Sequence, residues 1–326
     1  MAARLDPPRV AGLPRDAAGA DTAIAVAVEG LRKSYAETEA LRGISFTVPK
    51  GAIVALLGPN GAGKTTTVEI LEGHRRRSGG HVSVLGLDPE HGGRNLRARI
   101  GIVLQSAGFD HELTVTEILR MHASFYAEPR PVGEVVTLVG LDEKRSARTK
   151  TLSGGQRRRL DLALALIGDP DVIFLDEPTT GFDPNARRRS WEAIERLRTL
   201  GKTILLTSHY LDEVQRLADR VVVLADGVIV AEGPPSSLGG RDVSEAEVSF
   251  RLSDGLLWSD LPDAVRRVAH AQDGSVVIHT NAPTQVLYVL TAWAISRGTD
   301  LTALRILRPS LEDVYLELTK DAAEQP

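Results

Sequence analysis

The chain contains no cysteine. That excludes a disulfide framework and a thiol nucleophile, and it suits a reducing compartment. No segment approaches the roughly 20 consecutive apolar residues that a membrane-spanning helix needs. The best apolar runs, Ile53 to Leu57 and Val172 to Leu175, are strand-sized. Residues 1–22 lack the continuous apolar stretch of a secretory signal; rich in Ala, Pro, Arg and Asp, they are expected to form a disordered leader. A strong excess of one charge is also missing. With a formal net charge of −4, the molecule offers no general attraction to nucleic acid. What is present is an ordinary globular composition, 42% hydrophobic and 25% charged. The length of 326 residues suggests about two domains.

From Ile24 onward short β-rich runs alternate with helical patterns. Ile24 to Leu31, Ile44 to Val48, Ile53 to Leu57, Val82 to Leu85, Ile100 to Leu104, Val172 to Leu175 and Thr203 to Thr207 read as strands. Continuous apolar strands separated by helices imply a mostly parallel sheet covered on both faces. Val221 to Leu224 and Val228 to Ala231 flank Ala225-Asp226-Gly227, a hairpin signal. Between Ser106 and Ser153 the strand pattern stops, and Val115 to Tyr126 and Val132 to Val139 look helical. The expected organisation is therefore a sheet-and-helix domain over 23–233 with a helical lobe at about 106–160. A Gly/Pro/Ser-rich linker over 234–244, a small α+β domain over 245–320 and a tail over 321–326 follow. Within the small domain Ala246 to Leu252, Val265 to Ala271, Ser275 to Thr280 and Leu301 to Leu307 are expected as strands. Pro283 to Ser296 and Leu311 to Leu318 are expected as helices, the second capped by Ser310 with Asp313 near its positive end.

Gly58-Pro59-Asn60-Gly61-Ala62-Gly63-Lys64-Thr65, followed by Thr66, matches the pattern G-x-x-x-x-G-K-[ST]. A triphosphate carries several negative charges, and such a loop must bring many backbone N–H groups to it at short range. Glycine permits the turns with φ > 0 and the close approach. The helix that follows adds its N-terminal dipole. Lys64 can reach the β- and γ-phosphates, and the Thr65 hydroxyl can bind Mg²⁺. The alternative is an ordinary Gly-rich turn, which the preceding buried strand and the following helix argue against.

Val172-Ile173-Phe174-Leu175 runs into Asp176-Glu177. A strand buried on both faces should not end in two acids unless they meet something positive. Asp176 at the tip can hold Mg²⁺ through a water, and Glu177, pointing the other way, can polarise an attacking water. Leu152-Ser153-Gly154-Gly155-Gln156 precedes a helix whose Leu160, Ala163, Leu164 and Ile167 form an apolar stripe. This makes a second phosphate-binding helix end. One nucleotide has one γ-phosphate, so the second end is suited to a nucleotide held by another subunit. Arg157-Arg158-Arg159 and Arg75-Arg76-Arg77 invite a nucleic-acid reading, but a solvated or subunit-contacting face is the expectation for both.

In this order the motifs resemble those of the nucleotide-binding subunit of an ABC transporter, over about Ile24 to Gly233. The resemblance implies an α/β fold: a P-loop NTPase core with a mostly parallel sheet, an antiparallel β subdomain and an inserted helical lobe, beside the small C-terminal α+β domain. It implies that Tyr35 stacks on adenine and that Gln105 senses Mg²⁺ and links to the membrane partner. It further implies that Asp183, in Gly181-Phe182-Asp183, crosses a dimer interface, and that His209 contacts the γ-phosphate. Phe182 departs from the family's usual leucine. The catalytic set is then Glu177, His209 and Gln105, and the Mg²⁺ set is Thr65, Gln105 and Asp176.

Two cassettes would face each other head to tail, with each ATP between Gly58–Thr65 of one copy and Ser153–Gln156 of the other. The chain shows no second cassette, so the expected partners are a second copy of itself and a polytopic membrane permease, at the cytoplasmic face of the cell membrane, with no nucleic acid. The closing segment Arg308-Pro309-Ser310-Leu311-Glu312-Asp313-Val314-Tyr315-Leu316 resembles that of the daunorubicin-type drug-resistance ATPases. That likeness favours export of a drug, antibiotic, lipid or polysaccharide over import. The rival class is a soluble ABC ATPase acting on ribosomes or DNA, which would carry two cassettes or a long coiled coil; neither pattern is seen.

Overall fold

A computed structural model describes residues 23–103, 110, 112–241, 245–253 and 255–323. The expected leader over 1–22 and the residue Gln105 lie outside these described residues. In chain order the elements are β1 (Ile24–Tyr35), β2 (Thr38–Pro49), β3 (Ile53–Leu57), α1 (Lys64–Leu71), β4 (Gly79–Val84), α2 (Gly93–Arg97) and β5 (Ile100–Val103). There follow α3 (Val115–Ala123), α4 (Val132–Leu138), α5 (Gly154–Leu166), β6 (Val172–Asp176), α6 (Pro184–Thr199), β7 (Thr203–Ser208), α7 (Leu211–Leu217), β8 (Arg220–Ala225) and β9 (Val228–Gly233). The last elements are β10 (Ala246–Arg251), α8 (Asp263–Arg266), β11 (Ala269–Gln272), β12 (Ser275–Thr280), α9 (Pro283–Arg297), β13 (Thr302–Leu307) and α10 (Leu311–Ala323).

A six-stranded sheet in the order β5-β6-β7-β3-β8-β9 forms the centre. Its neighbours are parallel except β9, which closes an antiparallel hairpin on β8. Asp226 and Gly227 turn that hairpin with φ of 45° and 76°, the left-handed pair that a two-residue hairpin requires. Side chains in the central strands alternate between two cores. Ile53, Ala55, Leu57, Ile173 and Leu175 enter a core with helices α3 to α7. Val54, Leu56, Val172 and Phe174 enter another, shared with α1 and with a three-stranded antiparallel sheet ordered β2-β1-β4. Burial on both faces explains why these strands read as unbroken apolar runs.

Thr114 and Ser153 start the lobe helices α3 and α5, each with a reciprocal capping box, to Glu117 and Gln156 respectively. Downstream, β11-β12-β10-β13 form an antiparallel sheet, and Val248, Phe250, Ile278 and Leu290 share its core. Residues 265–266, expected as the beginning of a strand, belong instead to α8. Pro262 precedes that turn and Val265 is buried in it, so the strand starts only at Ala269.

Helix α10 is capped by Ser310, whose Oγ accepts from the Asp313 N–H at 3.1 Å. Its Leu311 is buried in the core that contains Val221 and Val223 of the central sheet. Leu238, within the Gly/Pro-rich stretch, enters the same core, and Arg241 donates to the carbonyls of Pro309 (2.9 Å) and Pro235 (2.7 Å).

Candidate active site

The loop after β3 follows from backbone chemistry. Gly61 and Gly63 have φ of 84° and 102°, conformations that L side chains avoid. Gly58 is required for another reason: a Cβ there would stand 2.3 Å from the carbonyl oxygen of Leu224 in the adjacent strand. Lys64 opens α1 and is 6% exposed. Its Nζ donates to the carbonyls of Gly58 (2.8 Å) and Pro59 (2.9 Å), spanning the loop. Burial lowers its pKa, while Glu177 and Asp176 oppose that shift. A buried cation, a helix N-terminus and two glycine turns fit a triphosphate. Thr65 is exposed at the same helix start, and Tyr35 lies beside it, its Oη 3.5 Å from the Thr66 hydroxyl. Two cations flank the Tyr35 ring: Lys33 Nζ at 4.9 Å from the centroid and Arg75 Cζ at 5.2 Å.

Asp176 ends β6, and its Oδ1 accepts from the Thr207 hydroxyl at 2.5 Å. The next residue, Glu177, has φ of 46°, an uncommon conformation for a non-glycine residue and one that recurs at functional sites. Its N–H donates to Thr207 Oγ1 at 3.0 Å. Its carboxylate accepts from the Thr180 hydroxyl at 3.0 Å and lies 3.4 Å from His209 Nδ1. The His209 ring packs on Tyr210 with centroids 4.1 Å apart. A half-buried carboxylate beside a histidine can accept a proton from water. A second carboxylate one residue earlier, with the Thr65 hydroxyl at the facing helix start, is a donor set that suits a hard cation such as Mg²⁺.

Ser153, Gly154, Gly155 and Gln156 stand at the start of α5 and line an open groove of ≈ 850 Å³ together with Glu177 and Phe182. None of Gly58–Thr66 lines it. Asp183 caps α6, its Oδ1 accepting from the N–H groups of Asn185 and Ala186 at 2.9 Å each. The structure thus brings Lys64, Asp176, Glu177 and His209 into one neighbourhood, and Glu177 also borders the open groove before Ser153, which the phosphate loop does not line.

Several arginines of the two runs, expected on a solvated or subunit-contacting face, bond to their own chain; Arg159 donates to the Gly140 carbonyl at 2.6 Å. Arg158 turns inward and its guanidinium donates to the carbonyl of Asp176 at 2.7 Å. Consecutive helical residues point about 100° apart, so the three side chains of 157–159 point in different directions. Arg77 is half-buried and forks onto Asp88 at 2.9 and 2.6 Å. Sequence reasoning also passed over Thr207, which tethers both acids; the polar end of an otherwise apolar strand was its only signal. Glu213 was missed as well: fully buried, it accepts from Thr179 (2.8 Å) and Trp191 (3.0 Å). Burial raises its pKa against these hydrogen bonds.

Comparison with known proteins gives consistent matches. The ABC transporter family profile matches residues 41–180, and the profile of the ABC transporter domain-containing protein-like C-terminal domain matches 246–310. The chain is 38% identical over 308 residues to Nod factor export ATP-binding protein I of Rhizobium meliloti (strain 1021), covering 92% of this chain and 90% of that one. It is also 38% identical over 318 residues to daunorubicin resistance ATP-binding protein DrrA2 of Streptomyces coeruleorubidus, covering 92% and 96%. Among solved structures, cbiO1 from Clostridium perfringens, part of the ABC transporter complex cbiONQ, superposes with a TM-score of 0.61 at 30% identity, over 65% of this chain and 89% of that one. An ATP-binding cassette of an ABC transporter in its ADP conformation superposes with a TM-score of 0.58 at 27% identity, over 65% and 92%.

Proposed function

The chain belongs to the ABC transporter ATP-binding family and is an ATPase, and from that premise we propose that it powers export through a separate polytopic membrane subunit, working as a pair of identical cassettes. The observation that carries the pairing is the outward-facing Ser153 helix end, whose groove excludes this copy's own phosphate loop. A phosphate-binding end with no nucleotide of its own within the chain fits a nucleotide presented by a second copy. Names of relatives favour export: one is a Nod factor export ATP-binding protein, and the other is an ATP-binding protein of daunorubicin resistance. Among the described residues no helix is long and apolar enough to cross a membrane. A peripheral place at the cytoplasmic face, through the membrane subunit, accords with that.

In this reading Gly58–Thr66 and Lys64 cradle the phosphates, and Tyr35 offers its ring to the base. Mg²⁺, when bound, supplies charge neutralisation at the β- and γ-phosphates; Thr65, Asp176 and Gln105 are the residues that would hold it. Glu177 accepts a proton from the attacking water, with Thr180 and His209 fixing the carboxylate's orientation. Ser153 to Gln156 of the partner copy close the other side of the γ-phosphate, and Asp183 sits at the seam. Loss of the γ-phosphate removes the charge both sides grip, so the pair opens. This ligand-biased equilibrium drives the membrane subunit.

Glu177→Gln tests the reading. The variant keeps a hydrogen-bonding side chain and loses the base. It should bind ATP like the parent, hydrolyse it about 100-fold more slowly or worse, and elute as a dimer with ATP and Mg²⁺ in size-exclusion chromatography with light scattering. A variant that stays monomeric with ATP and Mg²⁺, even beside the membrane subunit, refutes the pairing. Parental turnover refutes the role of Glu177.

A further inference from the structure

Helix α5 touches two places at once. Its first turn, at Ser153, presents the capped end that the paired reading assigns to the other copy's nucleotide. About 7.5 Å further along the axis, Arg158 of the same helix reaches the loop after β6. Its Nη2 donates to the carbonyl of Asp176 at 2.7 Å and to that of Glu177 at 3.3 Å, and its Nε donates to that of Pro178 at 3.4 Å. These three consecutive carbonyls belong to the backbone that holds Glu177 at φ 46°. Such a conformation persists only where the surroundings over-determine it. Thr207 on β7 takes the Glu177 N–H at 3.0 Å. The carboxylate expected to act as base therefore hangs on a loop gripped by β7 and by α5.

The residue type at position 158 suits this grip. Arginine's planar fork can serve several carbonyls together, whereas a lysine ammonium is a point donor on a flexible stem. Asp161, one turn along the helix and 9% exposed, has a carboxylate oxygen with no hydrogen-bond partner. Burial lowers the Arg158 pKa, and the nearby carboxyl groups of Asp161, Asp176, Glu177 and Glu213 oppose that shift.

We propose that Arg158 is a positioning residue that couples the two nucleotide sites of the pair. Engagement of the partner-held nucleotide at Ser153 moves or stiffens α5, and Arg158 passes that constraint to the carbonyls of 176–178, aiming Glu177 at this copy's own nucleotide. The proposal rests on the paired reading above and adds a rigid link within each copy, from the site it closes to the site it hydrolyses. In this role Arg158, which also lines the groove before Ser153, acts through the loop carbonyls and not through either nucleotide.

The test uses the full chain, with its membrane subunit where the two co-purify, as parent, Arg158→Ala and Arg158→Lys. ATP hydrolysis is measured against ATP concentration, and nucleotide affinity by titration with a fluorescent ATP analogue. Both variants should bind nucleotide within about twofold of the parent while kcat falls about tenfold or more, because a small misplacement of a catalytic group is enough for such a loss. The Hill coefficient should fall from a parental value approaching about 2, the limit for two sites, toward 1. If Arg158→Ala fails to fold, Arg158→Lys, which keeps the charge and most of the volume, carries the test. Parental kcat and cooperativity in Arg158→Lys overturn the proposal. So does a fall in kcat with the Hill coefficient intact, since Arg158 would then shape only its own loop. A parent without hydrolysis or without cooperativity overturns the paired reading itself, and this proposal with it.

Discussion

Glu72 offers the sharpest physical test of the site's interior. It follows α1 and is only 6% exposed. Its nearest ionic neighbour is His74, with Nδ1 3.2 Å from Oε2. Burial, reinforced by the negative charges of Asp176 and Glu69, pushes its carboxyl from 4.5 up to about 8. The unfolded chain releases this proton near 4.5, whereas the folded chain keeps it until about 8. Across that window the folded state binds more protons, so its stability is fully present below the unfolded pKa and declines as pH rises toward the folded one. Each pH unit inside the window is worth about 1.4 kcal/mol. Between pH 5.5 and 8.5 the contribution is bounded at about 3 kcal/mol. Glu72→Gln keeps the shape and the hydrogen-bonding capacity but cannot ionise. Urea unfolding of nucleotide-free protein, followed by tryptophan fluorescence, should show the parent losing about 2–3 kcal/mol more than the variant over this range. The variant should be the more stable of the two at pH 8.5. Parallel profiles for the two proteins, or a parent that gains on the variant with rising pH, would refute the account of a buried, protonated Glu72.

Two other substitutions probe the scaffold. Gly63→Ala places a Cβ 2.6 Å from Leu41 Cδ2 on a residue with φ of 102°, so it should destabilise the chain by about 2 kcal/mol or more and weaken the nucleotide analogue about tenfold or more. Parental affinity in that titration would show that the loop tolerates another backbone. Leu311→Ala removes a side chain that is 1% exposed in the core shared with Leu238 and Val221. A cost of about 2–4 kcal/mol is expected, with faster hydrogen exchange over 311–323; unchanged exchange there would mean that α10 is held by other contacts.

Much of the site is legible without tertiary information because its parts are local. The loop Gly58–Thr65, the Ser153 cap and the acids after β6 are each specified within a few residues by φ > 0 turns, helix-end N–H groups and a buried strand that ends in charge. The alternation of the two cores is also foreseeable, since strands covered on both faces show no polar period. The opening of the strand expected at 265 failed because periodicity cannot tell a short apolar strand from one helical turn after proline. Arg157 to Arg159 do not share one outer face, because helical residues turn about 100° each and Arg158 and Arg159 reach carbonyls of neighbouring loops.

By itself, the sequence determined the candidate nucleotide site: a lysine-bearing loop, two carboxylates and a second capped helix end suited to phosphate, all written in short contiguous motifs whose backbone geometry depends on near neighbours. Only the tertiary structure decided which distant groups hold those motifs in place. Thr207 on β7 tethers Asp176 and Glu177, Arg158 on α5 grips their carbonyls, Leu224 on β8 forces glycine at 58, and α10 returns to the core of the central sheet. These contacts join residues far apart along the chain, and they exist only once strands and helices have packed, which no local pattern records.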